Sequence, residues 1–226
     1  MNNKAYIIGT VGSDMVFSHT TGGEKFNEFV INVKRDSGYV DNLKCIISEK
    51  IVVGIDISEG TRVEIEGQYR SFSRRRDDGS RDNQLFIFVN DIKTCEEDNG
   101  EDVNDIELNG EIVRCYNCRH TKTGRNVTDF VMCVPREYSR VDYLNCIAWG
   151  RDAKFLGKMK DSINREDSIT AKVRGRLQSR VFTKFYDDGS KEDREIYELS
   201  VNDLSVDFDK GSENPDVSGV EEVEED

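Results

Sequence analysis

From residue 106 to residue 204 the chain alternates apolar and polar side chains in five runs divided by turn residues. Residues 106–114 alternate as a first strand, and the turn at Gly124-Arg125 leads into a second, 127–134, where Phe130, Met132 and Val134 share one face by the two-residue period of a strand. Residues 141–149 form a third, with Leu144, Cys146 and Ala148 inward and Tyr143, Asn145, Ile147 and Trp149 on the opposite face. Residues 152–159 change to helical spacing, with Ala153, Leu156 and Met159 or Phe155 on one stripe. Residues 169–182 are a long fourth strand interrupted at Gly175, and a hairpin at Asp188-Gly189 returns the chain through a fifth, 195–204.

The same pattern is written twice, much of it at one fixed offset of 101 residues. Gly9, His19, Phe29, Val30 and Val33 recur as Gly110, His120, Phe130, Val131 and Val134, while Asp41, Leu43, Cys45 and Ile46 recur as Asp142, Leu144, Cys146 and Ile147. Later matches drift, as Gly67 to Gly175 and Asn90-Asp91 to Asn202-Asp203, so the second copy has gained residues. The first copy keeps the strands, at 5–11, 28–34, 42–48, 61–72 and 84–92, but 48–60 is too short for the helix, and Ile51, Val52 and Val53 read as strand or turn. A unit of this size closes its own core, unlike the 20–50-residue unit of a solenoid. Five strands with a helix between the third and fourth is the layout of an OB barrel. The expected architecture is therefore all-β: a divergent first OB domain (1–98), a linker (99–103), a second OB domain with a short helix (104–210) and a disordered acidic tail (211–226).

Charged residues make up 34% of the chain and Pro only 2 residues, which suits short strands joined by hairpins. The net charge of −13 argues at first against a nucleic-acid partner, but its distribution weakens that objection: −6 for 1–103, 0 for 104–210 and −7 for the tail. No apolar run approaches the roughly 20 residues needed to cross a bilayer, and the N-terminus runs into a strand without a signal-peptide core. A cytoplasmic, nucleoid-associated protein is expected. Cys45 and Cys146 occupy one strand position in the two copies and read as small buried hydrophobes rather than as part of a disulfide framework.

The strongest chemical signal is the fourth strand of the second copy. Its even positions are Lys172, Arg174, Arg176, Gln178, Arg180 and Phe182, and its odd positions, Val173, Gly175, Leu177 and Val181, are mostly apolar. One face is core and the other a basic stripe ending in an aromatic, beside which the third strand would offer Tyr143, Asn145 and Trp149. Cations neutralise phosphates and aromatic faces accept any base, a combination that suits single-stranded nucleic acid. A polar outer strand face is also what any half-buried strand shows; four cations without an acid, beside aromatics, favour the binding reading. The first copy has Arg62 beyond the stripe, then Glu64 and Glu66 in place of Lys172 and Arg174, and Asn42 and Ser48 in place of Tyr143 and Trp149. Its cations return at Arg70, Arg74, Arg75, Arg76 and Arg81, with Phe72 among them, in the hairpin that OB domains often use on oligonucleotides. The second copy reads as the main contact surface and the first as an auxiliary clamp or assembly module.

Four segments of the second copy resemble the bacterial single-stranded DNA-binding protein family: Asn109-Gly110-Glu111-Ile112-Val113, the stretch from His120 through Gly124-Arg125-Asn126 to Phe130, Asp142-Tyr143-Leu144-Asn145-Cys146-Ile147-Ala148-Trp149-Gly150, and Gly175-Arg176-Leu177-Gln178-Ser179-Arg180-Val181-Phe182. The whole chain is similar to the version of that family with two OB domains. The resemblance implies base stacking at Tyr143, Trp149 and Phe182, and a homodimer that brings four OB domains together. It also implies replication or repair proteins as partners, although the ending Glu221 to Asp226 lacks the aromatic tip through which such tails commonly dock them.

Cys115-Tyr116-Asn117-Cys118 with His120 has the spacing of a zinc half-site, but no second half follows, and neither metal nor cofactor is expected. The two His sit at matching turns, carboxylate pairs such as Asp187-Asp188 are turn formers, and no phosphate-binding loop or nucleophile elbow is present. The expectation is a non-enzymatic, sequence-tolerant binder of single-stranded DNA acting in replication, recombination or repair. The alternatives are a primosome-type interaction module with weak DNA binding and an RNA-binding OB protein.

Overall fold

Alternation becomes burial in both copies. In β10 (Val141–Trp149), Asp142, Leu144, Cys146 and Ala148 are buried while Tyr143 and Asn145 are exposed, and β4 (Val40–Ser48) repeats this with Asp41, Leu43, Cys45 and Ile47. The structure, a computed structural model, describes residues 2–75, 79, 81–95, 100–165, 169–185 and 189–207, without the side chains of residues 74, 75, 81, 82, 184 and 194. Arg76, residues 96–99 and the acidic tail lie outside the described residues.

The first copy comprises β1 (Asn3–Val11), β2 (Val16–Thr21), β3 (Glu24–Lys34), β4, β5 (Arg62–Arg75) and β6 (Arg81–Thr94). The second comprises β7 (Val103–Cys115), β8 (Arg119–His120), β9 (Asn126–Pro135), β10, the helix α1 (Gly150–Ile163), β11 (Ile169–Phe185) and β12 (Lys191–Asp207). Each closes as an OB barrel: the first strand pairs with both the second long strand and the fourth, and the third runs parallel to the fifth. The all-β, two-barrel expectation holds. The third and fourth strands are not neighbours, however. β12 lies between β10 and β11, because the parallel pairing of Cys146 with Leu199 admits the last strand into that gap. Short β2 and β8, which extend the first hairpin of each copy, carry too few apolar residues to show in the sequence.

The recurring glycines mark close strand approaches. A Cβ at Gly110 would run into the Cys133 carbonyl where β7 bends between two partners, and one at Gly175 into the Ser200 carbonyl, where the β11–β12 register shifts. Gly9 and Gly67 do the same against Asn32 and Phe88, so a side chain at any of the four would push a strand out of register. The helix α1 buries Ala153, Leu156 and Ile163. In the first copy residues 49–60 form turns instead, from which Ile57, Ile51, Val52 and Ile55 pack on the core.

The two barrels share a sheet. β1 runs antiparallel to β7, with Ala5 opposite Ile106, and among the described residues all twelve strands join in one sheet over one connected apolar core. Because Ala5 and Ile106 are themselves equivalent, the junction is a local two-fold, and several of its contacts occur twice. Asn3 bonds the Tyr69 backbone with both ends of its amide (2.5 and 2.9 Å), as Asn104 bonds that of Leu177 (2.7 and 2.8 Å). Arg62, expected beyond the basic stripe, is buried and ties the linker down through Asp102 (2.6 Å) and the carbonyls of Gly100 and Glu101.

Candidate nucleic-acid interface

Trp149 ends β10 with extended backbone and caps the start of α1. It is half-buried, and its indole N–H donates to Ser200 Oγ at 2.9 Å. Ser200 meets the Gln178 amide oxygen at 3.2 Å when that amide is turned to accept, and the same oxygen then accepts from Arg176 Nε at 2.9 Å. The ring is thus held across β12 to β11, and the Arg125 guanidinium lies over it at 5.2 Å from the centroid. Further along β11, Arg180 forms a bidentate pair with Glu198 (2.8 and 3.4 Å), which raises its pKa, and Phe182 follows, 46% exposed. Val181, expected to face the core, is exposed because the β11–β12 hairpin projects past the barrel.

Tyr143 and Asn145 stand on the outer face of β10 and line a cleft of about 430 Å³ with Val113, Arg114 and Tyr116, Val131, and Asn83 and Leu85. The last two belong to the other domain, and a buried carboxylate explains why. Asp142 Oδ1 accepts from the Ser71 backbone N–H (2.7 Å) and hydroxyl (3.0 Å), and Ser71 Oγ accepts from the Tyr143 N–H (3.1 Å). Arg136 Nε lies 3.1 Å from Asp142 Oδ2. The first copy's hairpin, with Phe72 55% exposed and the backbone of Arg74 and Arg75 following, is thereby docked against the second copy's third strand. The reciprocal contact brings the Ser179 N–H to Asp41 Oδ1 (2.8 Å) and the Asn42 N–H to Ser179 Oγ (2.8 Å), with Asp41 paired to Arg35. Each domain therefore lends its hairpin to the other.

Two of the stripe cations stand elsewhere. Lys172 pairs with Glu107 (3.0 Å) and Arg174 with both oxygens of Asp105 (2.7 Å each), over the seam between the domains. Lys4 and Tyr6 line the same small cleft as Arg174, and Glu64 and Glu66 face the seam from the first copy, opposite Ile8 and Tyr6. Arg70 opens into a cleft of about 840 Å³, together with Gln68, Asn90 and the turn residues Arg136, Glu137, Tyr138 and Arg140. Its guanidinium lies over the Phe88 ring at 3.8 Å and is anchored on Gln68 Oε1; burial and the neighbouring Arg136 charge lower its pKa. Tyr138 and Ser139 hold left-handed backbone (φ 59° and 56°), and Tyr138 is 90% exposed. Sequence reasoning passed over Arg136, Tyr138 and Arg140, although two arginines and an aromatic in one turn were visible in the composition.

The cysteines of the half-site diverge. Cys115 is buried, donates to the Leu156 carbonyl at 3.3 Å and has its thiol pushed up to about 11 by burial, while Cys118 reaches toward Asn126. Among the described residues no three His, Cys, Asp or Glu side chains converge as metal ligands would. No helix among them is long and apolar enough to cross a membrane.

These features define a tandem OB-fold protein with an outer face of aromatics and arginines. No protein-family model matches the sequence, and neither does any curated protein. Among solved structures, the crystal structure of the wild-type single-stranded DNA binding protein from Thermus aquaticus matches with a TM-score of 0.69 at 17% identity, over 94% of this chain and 96% of that one. A deletion mutant of the same protein matches with a TM-score of 0.69 at 18% identity, over 94% and 98%. The chain has the two-OB-domain fold of those proteins, which bear the name of the family that the four sequence segments resemble. The N-terminal domain of PriB protein from Thermoanaerobacter tencongensis is 37% identical over 42% of this chain and 98% of its own, with a TM-score of 0.38.

Proposed function

We propose that this protein binds single-stranded DNA without regard to sequence and protects exposed strands in replication, recombination or repair. The observation that carries the reading is the outer face of the second domain, where Trp149 is held through Ser200 and Gln178 to Arg176, Arg180 and the exposed Phe182 follow on the same strand, and the Ser71 contact docks the hairpin bearing Phe72 beside Tyr143. In this reading bases stack on Tyr143, Trp149, Phe182 and Phe72, phosphates are held by Arg176 and Arg180 with Arg70 and the arginines at 74–76, and Lys172 and Arg174 contribute from the seam. Stacking on aromatic side chains is worth about 1–3 kcal/mol per base and tolerates any sequence. The Thermus aquaticus neighbours, named for binding single-stranded DNA, support it through the shared fold. Trp149 is the chain's single tryptophan, so titration of its fluorescence with oligo-dT at two salt concentrations tests the reading. Strong quenching by the single strand, weaker at higher salt and absent with duplex DNA, is expected.

The primosome-type interaction module is the second reading. The observation favouring it is that Lys172, Arg174 and Arg180 are each paired with a carboxylate, which leaves fewer cations for phosphate. No quenching and no binding by any single strand would make it the better account, and equal or tighter binding of a matched RNA would favour the RNA-binding alternative.

A further inference from the structure

The first domain lacks a counterpart of Trp149, with Ser48 in its place. In the second domain the parallel pairing sets Ile147 opposite Ser200, and Trp149 reaches across to that serine. In the first domain the equivalent pairing sets Ile46 opposite Phe88, so the ring stands where Ser200 stands and the serine where the tryptophan stands. The aromatic has moved one strand sideways. It is not isolated there: Phe88 meets Phe26 at 5.9 Å, Phe26 stacks on His19 at 5.1 Å with the rings 11° apart, and the Arg70 guanidinium lies over the Phe88 ring. His19 is exposed, and Phe26 and Phe88 are half-buried on the outer surface.

We propose that His19, Phe26, Phe88 and Arg70 form a second stacking track for single-stranded DNA on the first domain. The inference rests on the function proposed above and extends it to a domain whose strand pattern suggests an auxiliary clamp or an assembly module. Planar groups in a row, an imidazole at one end and a guanidinium at the other, offer bases a sequence-tolerant surface. The nearby charges are balanced, with Lys44 paired to Glu28 (2.8 Å), Lys50 to Glu24 (3.2 Å) and Lys25 to Glu49 (4.0 Å). The rings of the track therefore contribute stacking, while phosphate neutralisation stays with Arg70, and loss of the rings alone leaves the salt dependence of binding as it was.

The test compares the full chain with its Phe26→Leu/Phe88→Leu variant, which keeps apolar volume and removes the rings. Oligo-dT of increasing length is titrated against Trp149 fluorescence. The variant is expected to bind the shortest quenching oligomer as the unaltered chain does, to bind long oligomers at least about fivefold more weakly, to occlude fewer nucleotides, and to keep the same salt slope. Long-oligomer affinity and occluded length equal to those of the unaltered chain would overturn the track. On the unaltered chain, photocrosslinking with bromouracil-substituted oligomers gives an independent reading: crosslinks at Phe88, Phe26 or His19 are expected, and crosslinks at Phe72 and residues 104–207 with none at those three would refute the proposal. If the unaltered chain quenches with no oligomer, the function proposed above falls first and this inference with it, an outcome distinct from failure of the variant alone.

Discussion

Asp41 and Asp142 have no exposed surface, and a buried charge is costly unless it is paired and hydrogen-bonded. Both conditions are met, the pairing within each domain and the hydrogen bonds across the boundary: Asp142 is paired with Arg136 and accepts twice from Ser71 of the other domain, while Asp41 is paired with Arg35 and accepts from Ser179 of the other domain. These carboxylates fix which hairpin lies on which strand, and so set Phe72 beside Tyr143. Removing one leaves a half-buried guanidinium and a backbone N–H without their acceptor. Asp142→Ala is expected to lower stability by about 3–5 kcal/mol in urea denaturation, and Asp142→Asn, which keeps an oxygen for Ser71, by less. An unchanged midpoint for Asp142→Ala would show that the clamp contributes nothing. The recurrence of both aspartates was legible in the repeat. Their partners were not, because alternation says only that a residue points inward, and these point toward another domain.

The fourth strand of the second copy looks from its sequence like one uninterrupted basic stripe, on which charge reversal at Lys172 and Arg174 should weaken binding strongly. Pairing divides it. Its first part lies between β12 and β7, whose outward Glu107 and Asp105 take up Lys172 and Arg174, and its second part keeps only β12 as a paired strand, where Ser200 and Glu198 hold the groups around Trp149. Exposed ion pairs of this kind contribute little to stability but they occupy the cations. Lys172→Glu/Arg174→Glu is therefore expected to weaken oligo-dT binding less than Trp149→Leu does, with affinities compared by filter binding, since the second variant has no fluorescent tryptophan. The opposite order would restore Lys172 and Arg174 to the main phosphate path. The strand, its face and its break at Gly175 all follow from the period of two and from a close approach that only glycine permits.

Duplication within one chain gives the whole molecule the reciprocal contacts of a symmetric dimer while letting the halves diverge. Divergence is greatest on the outer faces: Glu64 and Glu66 against Lys172 and Arg174, Ser48 and Phe88 against Trp149 and Ser200. The core positions and the four close-approach glycines stay alike, because both barrels must solve the same packing problem. The family resemblance in the sequence implies a further pairing of two such chains. Light scattering is expected to give twice the 25.8 kDa of the chain, and a single-chain mass across the micromolar range would remove the dimer from the account.

By itself the sequence determined the duplication, the long strands, the position of the helix and, short of the projecting hairpin at Val181, the side of each long strand that faces the core. Those are local matters, set by a two-residue period, by turn residues and by chain length between strands. The tertiary structure decided which elements are neighbours. It placed β12 between β10 and β11, joined β1 to β7, exchanged the hairpins through Asp41 and Asp142, and gathered His19, Phe26, Phe88 and Arg70 from four strands onto one surface. Such neighbours are far apart along the chain, and a pattern that repeats every second residue carries the direction of a side chain without naming what lies across from it.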